Sequence, residues 1–269
     1  MVEIMNDQRV PILVYHHVYP DDAPEMAKAS FKTGAGVIGA AEFRRQMKYL
    51  ADNGWKVVST SQLVDWLLGK GHLPNKAALV HFDNGWLDTA TVAPLILRDF
   101  GFTATCFPIT DGLEAATRGI SAAVRTLTEG VVEKPFMTWD QAKGLLDAGW
   151  ELGAHTATHC KIADRHAAEG DAGVVREAEI ANGIFQKRLG FTPPHFAYPS
   201  GSRNDRTDQI MSGHYRSLRL WHFEYPCQWT FTDRTTPVTA IDCQNIDIRV
   251  SWPDYVRIFE EALSPITGR

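Results

Sequence analysis

A chain of 269 residues is long enough for one large α/β domain or two small ones, and with 44% hydrophobic residues it can bury a full core. Its 27 Lys and Arg against 32 Asp and Glu leave a formal charge of −5, which gives no broad electrostatic reason to expect nucleic acid or an anionic membrane as partner. Residues 1–10 lack the basic and apolar segments of a secretory leader, and no later stretch approaches the ~18 apolar residues of a membrane span, so the chain as it stands reads as cytoplasmic, or as periplasmic or extracellular if a leader has been removed.

Short apolar runs alternate with amphipathic stretches along the chain, the pattern of β-α units around a largely parallel sheet or barrel. Residues 11–15 read as a strand. Phe43, Met47 and Leu50 repeat at helical spacing, Gly54 follows as a cap, and 55–58 is the next strand. Ser61 is the expected cap of a helix over 62–68, and 77–82 is a strand that ends directly at Asp83. A helix over 91–100 and a strand over 103–109 continue the rhythm. Residues 111–134 are Gly-rich and weakly periodic, and read as an inserted loop with at most one helix. Thr138 caps a helix to Ala148, 150–154 is a strand that delivers His155, 174–189 is a helix stopped by Gly190, and 195–199 is a further strand end. About seven β-α units result, with no linker rich enough to divide them, so residues 1–269 are expected to form one catalytic domain. Cys106, Cys160, Cys227 and Cys243 show no CxxC spacing and are expected to be reduced thiols.

Polar residues at the ends of parallel strands tend to be functional, because that rim is where ligands bind. Three rim segments stand out. Asp83-Asn84-Gly85 offers a carboxylate and an amide, although alone it reads more readily as a helix cap or turn. In His155-Thr-Ala-Thr-His159, the i, i+4 spacing would bring both imidazoles to one face of a helix and to one divalent ion. In Phe196-Ala-Tyr-Pro-Ser-Gly201, Pro199 fixes Tyr198 at a strand end, where its backbone N–H would face a developing oxyanion.

In this order and at these separations the segments resemble the polysaccharide deacetylases of carbohydrate esterase family four, the NodB-homology proteins. The family's Phe-Asp-Asp-Gly is similar to Phe82-Asp83-Asn84-Gly85, its His-[Ser/Thr]-x-x-His to His155–His159, and its Phe-Ala-Tyr-Pro-x-Gly to 196–201. Tyr15-His16-His17-Val18, residues 136–140 and residues 213–217 extend the likeness over most of 11 to 220, and its flavour is nearest to the poly-N-acetylglucosamine deacetylase branch. The resemblance implies a distorted (β/α)7-type barrel. It also implies Asp83 as general base, Asn84, His155 and His159 as ligands of a divalent metal (zinc, with cobalt, nickel and manganese as alternatives), and an N-acetylated carbohydrate or small-molecule substrate.

Two departures matter. Asn84 stands where the family's usual second Asp would be, which keeps an oxygen ligand but removes one negative charge. The family's C-terminal Leu-x-x-His acid has no clean match; His222, after Trp221, is the nearest candidate and His16 at the first strand end is the other. His17 is expected to face away by strand alternation. Trp86, Trp139, Trp221, Trp229 and Trp252 are candidates for stacking on sugars, though large aromatics are mostly core. The leading expectation is removal of an acetyl group, N-acetyl before O-acetyl, from an amino-sugar substrate. A ring-opening type of amidase and a catalytically impaired carbohydrate-binding homologue are the alternatives.

Overall fold

The computed structural model describes residues 8–29, 36–126, 130–221 and 229–264. The chain begins with β1 (Ile12–Tyr15), β2 (His17–Tyr19), α1 (Pro24–Lys28), β3 (Val37–Gly39), α2 (Ala40–Asp52), β4 (Lys56–Val57) and α3 (Thr60–Leu67). It continues through β5 (Ala77–Asn84), α4 (Leu87–Thr91), α5 (Ala93–Asp99), β6 (Thr105–Pro108), α6 (Thr110–Thr117), β7 (Ala123–Thr126), β8 (Gly130–Glu133), α7 (Trp139–Asp147) and β9 (Glu151–Leu152). The last third holds α8 (Ile162–Leu189), β10 (His195–Ala197), α9 (Asp205–Met211), β11 (Ser217–Arg219), β12 (Gln244–Asn245) and α10 (Trp252–Leu263).

The main sheet runs β12-β1-β5-β6-β9 with all neighbours parallel. Single parallel bridges carry it onward, Ala154 to Phe196 on β10 and Arg219 of β11 to Ile241 just before β12. The seven strands therefore close on themselves, two of the seams held by one residue pair each. This is the distorted barrel expected from the sequence.

Side-chain alternation sorts the strands into two apolar layers. Leu13, Tyr15, Ala78, Val80 and Phe82 point outward into the large core shared with α2, α5, α7 and α10. Ile12, Val14 and Leu79 point inward, where they meet Leu63, Val64 and Trp66 of α3. At the start of α3, Thr60 Oγ1 is 3.0 Å from His81 Nε2 and 2.7 Å from Thr105 Oγ1, and Ser61 Oγ is 3.0 Å from His195 Nε2. Those partners lie within β5 and at the first residues of β6 and β10, so α3 stoppers the barrel at the N-terminal ends of its strands. The opposite end is left for ligands.

Several local expectations are corrected. Ser59, not Ser61, caps α3: its side chain accepts from Gln62 N–H while Gln62 returns a bond to the Ser59 N–H. Thr138 caps α7 in the same reciprocal way, as expected. The helix expected over 91–100 is two pieces that meet at Val92, whereas that expected over 174–189 is present to Leu189 and is preceded, across the non-helical Gly170 at φ 64°, by a further helical segment from Ile162. Residues 111–134 hold most of α6 and the strands β7 and β8, which pair antiparallel. Among the described residues Cys106, Cys160 and Cys243 are free thiols, whereas Cys227 lies outside them. No helix among the described residues is long and apolar enough to cross a membrane.

Because Leu63 is fully buried between the inner strand faces, Leu63→Ala should lower unfolding free energy by about 2–5 kcal/mol, read from denaturant melts. A change under ~1 kcal/mol would mean that α3 is not part of the barrel core.

Candidate active site

The register of β1 against β5 ends with Tyr15 beside Phe82, so both strands run out at the rim where His16 and Asp83 follow. Here β5 turns out of the barrel through Asn84 and Gly85, at φ 71° and 80°. Asn tolerates this left-handed region better than most residues, and a Cβ on Gly85 would strike Pro108. The turn leaves Asp83 and Asn84 pointing into a cavity whose wall also includes His16, His17, Trp86, His155, His159, Trp221 and Asn245.

Asp83 is 1% exposed and shares both carboxylate oxygens with one nitrogen of Arg219, at 2.5 and 2.6 Å. Arg219 is buried in turn, its guanidinium 5.1 Å from the centre of the Phe107 ring. Burial alone pushes the Asp83 carboxyl up, but the Arg219 charge, with His155 and His16 nearby, outweighs it and holds Asp83 down at about 2. Asp83 is therefore a carboxylate at neutral pH, an acceptor only.

The segment 155–159 is not helical, which corrects the one-face argument. It is a loop in which Thr156 and His159 take φ of 66° and 62°, and this brings the two rings to 5.0 Å between centroids. Glu177 of α8 holds the loop, accepting from Ala157 N–H (3.0 Å), Thr158 N–H (2.9 Å) and the Thr158 hydroxyl (2.9 Å). His155 Nδ1 lies 2.8 Å from the Ala197 carbonyl and His159 Nδ1 2.7 Å from the Arg125 carbonyl. A carbonyl only accepts, so each proton sits on Nδ1 and each Nε2 keeps its lone pair. Burial pushes both imidazoles down, His155 to about 3, despite the opposing charge of Asp83. Both are neutral near pH 7.

Asn84 Oδ1 is buried with no hydrogen-bond partner, an orphaned acceptor on the same cavity. Among the described residues no three His, Cys, Asp or Glu side chains gather as an ion cage, since the third donor here is this amide. An uncompensated oxygen with two imidazoles whose outer nitrogens are tied to carbonyls is a donor set that fits a divalent transition metal.

The remaining expected residues fare differently. His16 lines the cavity with Nδ1 unpaired, and burial, opposed by Asp83, pushes it down to about 4. Tyr198 does not present its N–H to the cavity: that group donates to the Arg219 carbonyl at 3.0 Å in the β10–β11 ladder, and the phenol donates to Asp208. His222 lies outside the described residues. His17 lines the cavity after all, because the chain bends at His16 and starts β2, so the alternation of β1 does not carry through. Of the tryptophans, Trp86 and Trp221 reach the cavity, while Trp139 is buried in the main core and Trp229 and Trp252 pack against it.

Arg219 and Glu177 belong to no motif of the sequence. Arg219 had a signal, a lone charge between Leu218 and Leu220 at the end of a short apolar run, where a buried cation demands an anion. Glu177 had none, being one acid among several on a polar helix.

Comparison with known proteins agrees with this architecture. The polysaccharide deacetylase family model matches residues 70–215. The chain belongs to the polysaccharide deacetylase family. Among curated relatives, YxkH of Bacillus subtilis, assigned to the polysaccharide deacetylases, is 21% identical over 199 residues, covering 74% of this chain and 59% of that protein. The poly-beta-1,6-N-acetyl-D-glucosamine N-deacetylase of Escherichia coli K12 is 27% identical over 146 residues, 54% of this chain and 20% of that protein. The chain thus spans less than two thirds of either relative. Among solved structures, the deacetylase PplD of Streptococcus pyogenes superposes with a TM-score of 0.74 at 19% identity, over 94% of this chain and 99% of that one. IcaB of Ammonifex degensii gives 0.71 at 20% identity, over 96% and 98%, a likeness of fold.

The Asp83–Arg219 pair has a pH signature. Its folded-state carboxyl lies below the ordinary 3.8, so its stabilisation is present above about pH 4 and is lost as pH falls toward about 2. Arg219→Met, which strands a buried carboxylate, should cost about 3–5 kcal/mol at neutral pH in denaturant melts. The double variant Asp83→Asn/Arg219→Met should recover part of that loss, and full additivity of the two changes would refute the pairing.

Proposed function

We propose that the chain is a metal-dependent hydrolase that removes the acetyl group from an N-acetylated amino sugar. One observation carries the reading: a carboxylate held ionised by Arg219, an orphaned amide oxygen and two imidazoles with free Nε2 atoms converge on one cavity at the ligand-binding end of the barrel. Family membership and the names of the relatives support the same chemistry.

In this reading Asn84, His155 and His159 hold the ion, zinc first, with cobalt, nickel and manganese as alternatives. When bound, such an ion polarises the acetamide carbonyl and lowers the pKa of a water. Asp83 takes the proton of the attacking water, a role suited to a group that is ionised and can only accept. The two electrons of the new C–O bond come from that water oxygen. The C–N bond then breaks and the nitrogen leaves as an amine, taking up the proton that Asp83 removed from the water, with the neutral His16 on the cavity wall as a candidate relay for it. Arg219 is a positioning residue: it fixes both Asp83 oxygens and keeps the carboxylate from rotating away. Tyr198, with its N–H committed to the ladder, is left as a wall residue.

Asn84 lowers the charge of the donor set by one relative to a carboxylate, so the ion should be held less tightly. Calorimetric titration with zinc should give one site per chain, and Asn84→Asp should tighten it by at least about tenfold. Acetate release from N-acetylglucosamine oligomers in zinc-containing buffer tests the reaction itself. Asp83→Asn should slow that release by about 10²–10⁴-fold. Acetate release that survives Asp83→Asn unchanged would exclude it as the base, and a wild-type chain that releases none from any N-acetylated sugar would exclude the activity.

A further inference from the structure

His17 has no role in the chemistry above, yet it lines the same cavity and is only 3% exposed. Tyr19 and Trp86 both stack on its ring, at 4.7 and 4.9 Å between centroids and 16° and 20° between planes. Two near-parallel neighbours at these distances take up its two faces. Its Nδ1 lies 2.9 Å from Asp88 Oδ1, and the other Asp88 oxygen accepts the Val18 N–H at 2.7 Å, so the carboxylate cannot swing away. A carboxylate accepts only, which puts the proton on Nδ1. What remains of the ring to face the cavity is the Nε2 edge, an acceptor held in one orientation in the wall that Asn84 also lines.

We propose that His17 is a substrate-positioning residue whose Nε2 accepts a hydrogen bond from a hydroxyl of the sugar that carries the acetamide. The inference rests on the deacetylase reading and adds to it a specificity contact. Trp86 and Trp221 give the same cavity aromatic surface, while Asn245 and Arg249 add polar groups, a combination suited to a ring with apolar faces and hydroxyl edges. Because Asp88 and the stacked rings fix His17 beforehand, little ordering is required when the substrate arrives. A buried acceptor of this kind discriminates by omission: an analogue without the hydroxyl leaves Nε2 unpaired and is rejected.

The test pairs one substitution with one missing hydroxyl. His17→Phe keeps a flat ring between Tyr19 and Trp86 and deletes both nitrogens. On an N-acetylglucosamine oligomer, kcat/KM should fall about tenfold to a hundredfold, mostly through KM. Among substrates lacking the 3-, 4- or 6-hydroxyl on the reacting unit, one should show a similar fall with the wild-type chain and no further fall with the variant. Asp88→Asn, which leaves the ring in place but loosens its anchor, serves if the first variant fails to fold, and should raise KM several-fold on the parent substrate alone. A His17→Phe protein within twofold of wild type, or losses that multiply for all three deoxy substrates, would overturn the inference while leaving the deacetylase reading intact. No acetate release by the wild-type chain would instead remove that reading, and this contact with it.

Discussion

The site depends first on the buried pair of Asp83 and Arg219. Burial alone pushes a carboxyl in this position toward its neutral acid. Arg219 reverses the balance from inside the barrel wall, on the strand next to the 196–201 segment but outside every motif, while Phe107 covers its guanidinium. The cost is a pair that tolerates no half-measures, since either partner left alone is an uncompensated buried charge.

The imidazoles are positioned by a different device. Backbone strain at Thr156 and His159 folds the loop, Glu177 gathers its amides, and two carbonyls lock the ring tautomers. Left-handed backbone at a β-branched residue persists only where surrounding structure over-determines it, and three bonds to one carboxylate do that here. The two histidines and Asp83 are thus held by separate parts of the fold, β10 and α8 for the former and β11 for the latter, with the cavity as their meeting point.

Much of this was legible in the chain. Strand ends at Asp83 and His155 followed from apolar runs that stop at polar residues, and the order of the three rim segments gave the family and the barrel. Legibility failed where geometry is not periodic. The i, i+4 spacing of His155 and His159 looked helical because spacing cannot distinguish a helix turn from a loop with two positive φ values. Strand alternation misplaces His17 because it does not carry across the bend at His16. The Tyr198 N–H is committed to a three-residue ladder with β11, formed by residues 22 positions later, and such a pairing has no local mark. Arg219 was readable as a charge out of place. Glu177 and Asp88 were not, since their work is defined only by what folds against them.

Two seams of the barrel rest on single residue pairs, Ala154 with Phe196 and Arg219 with Ile241, and both lie in the later part of the chain. A polypeptide emerging in order from N to C terminus would carry Asp83 for another 136 residues before its cation exists. Until that point the carboxylate stays hydrated and the wall it belongs to is an open sheet edge. The pairing of Asp83 and the closure of the barrel therefore both wait on the last third of the chain, the first on Arg219 and the second on the seam at Ile241.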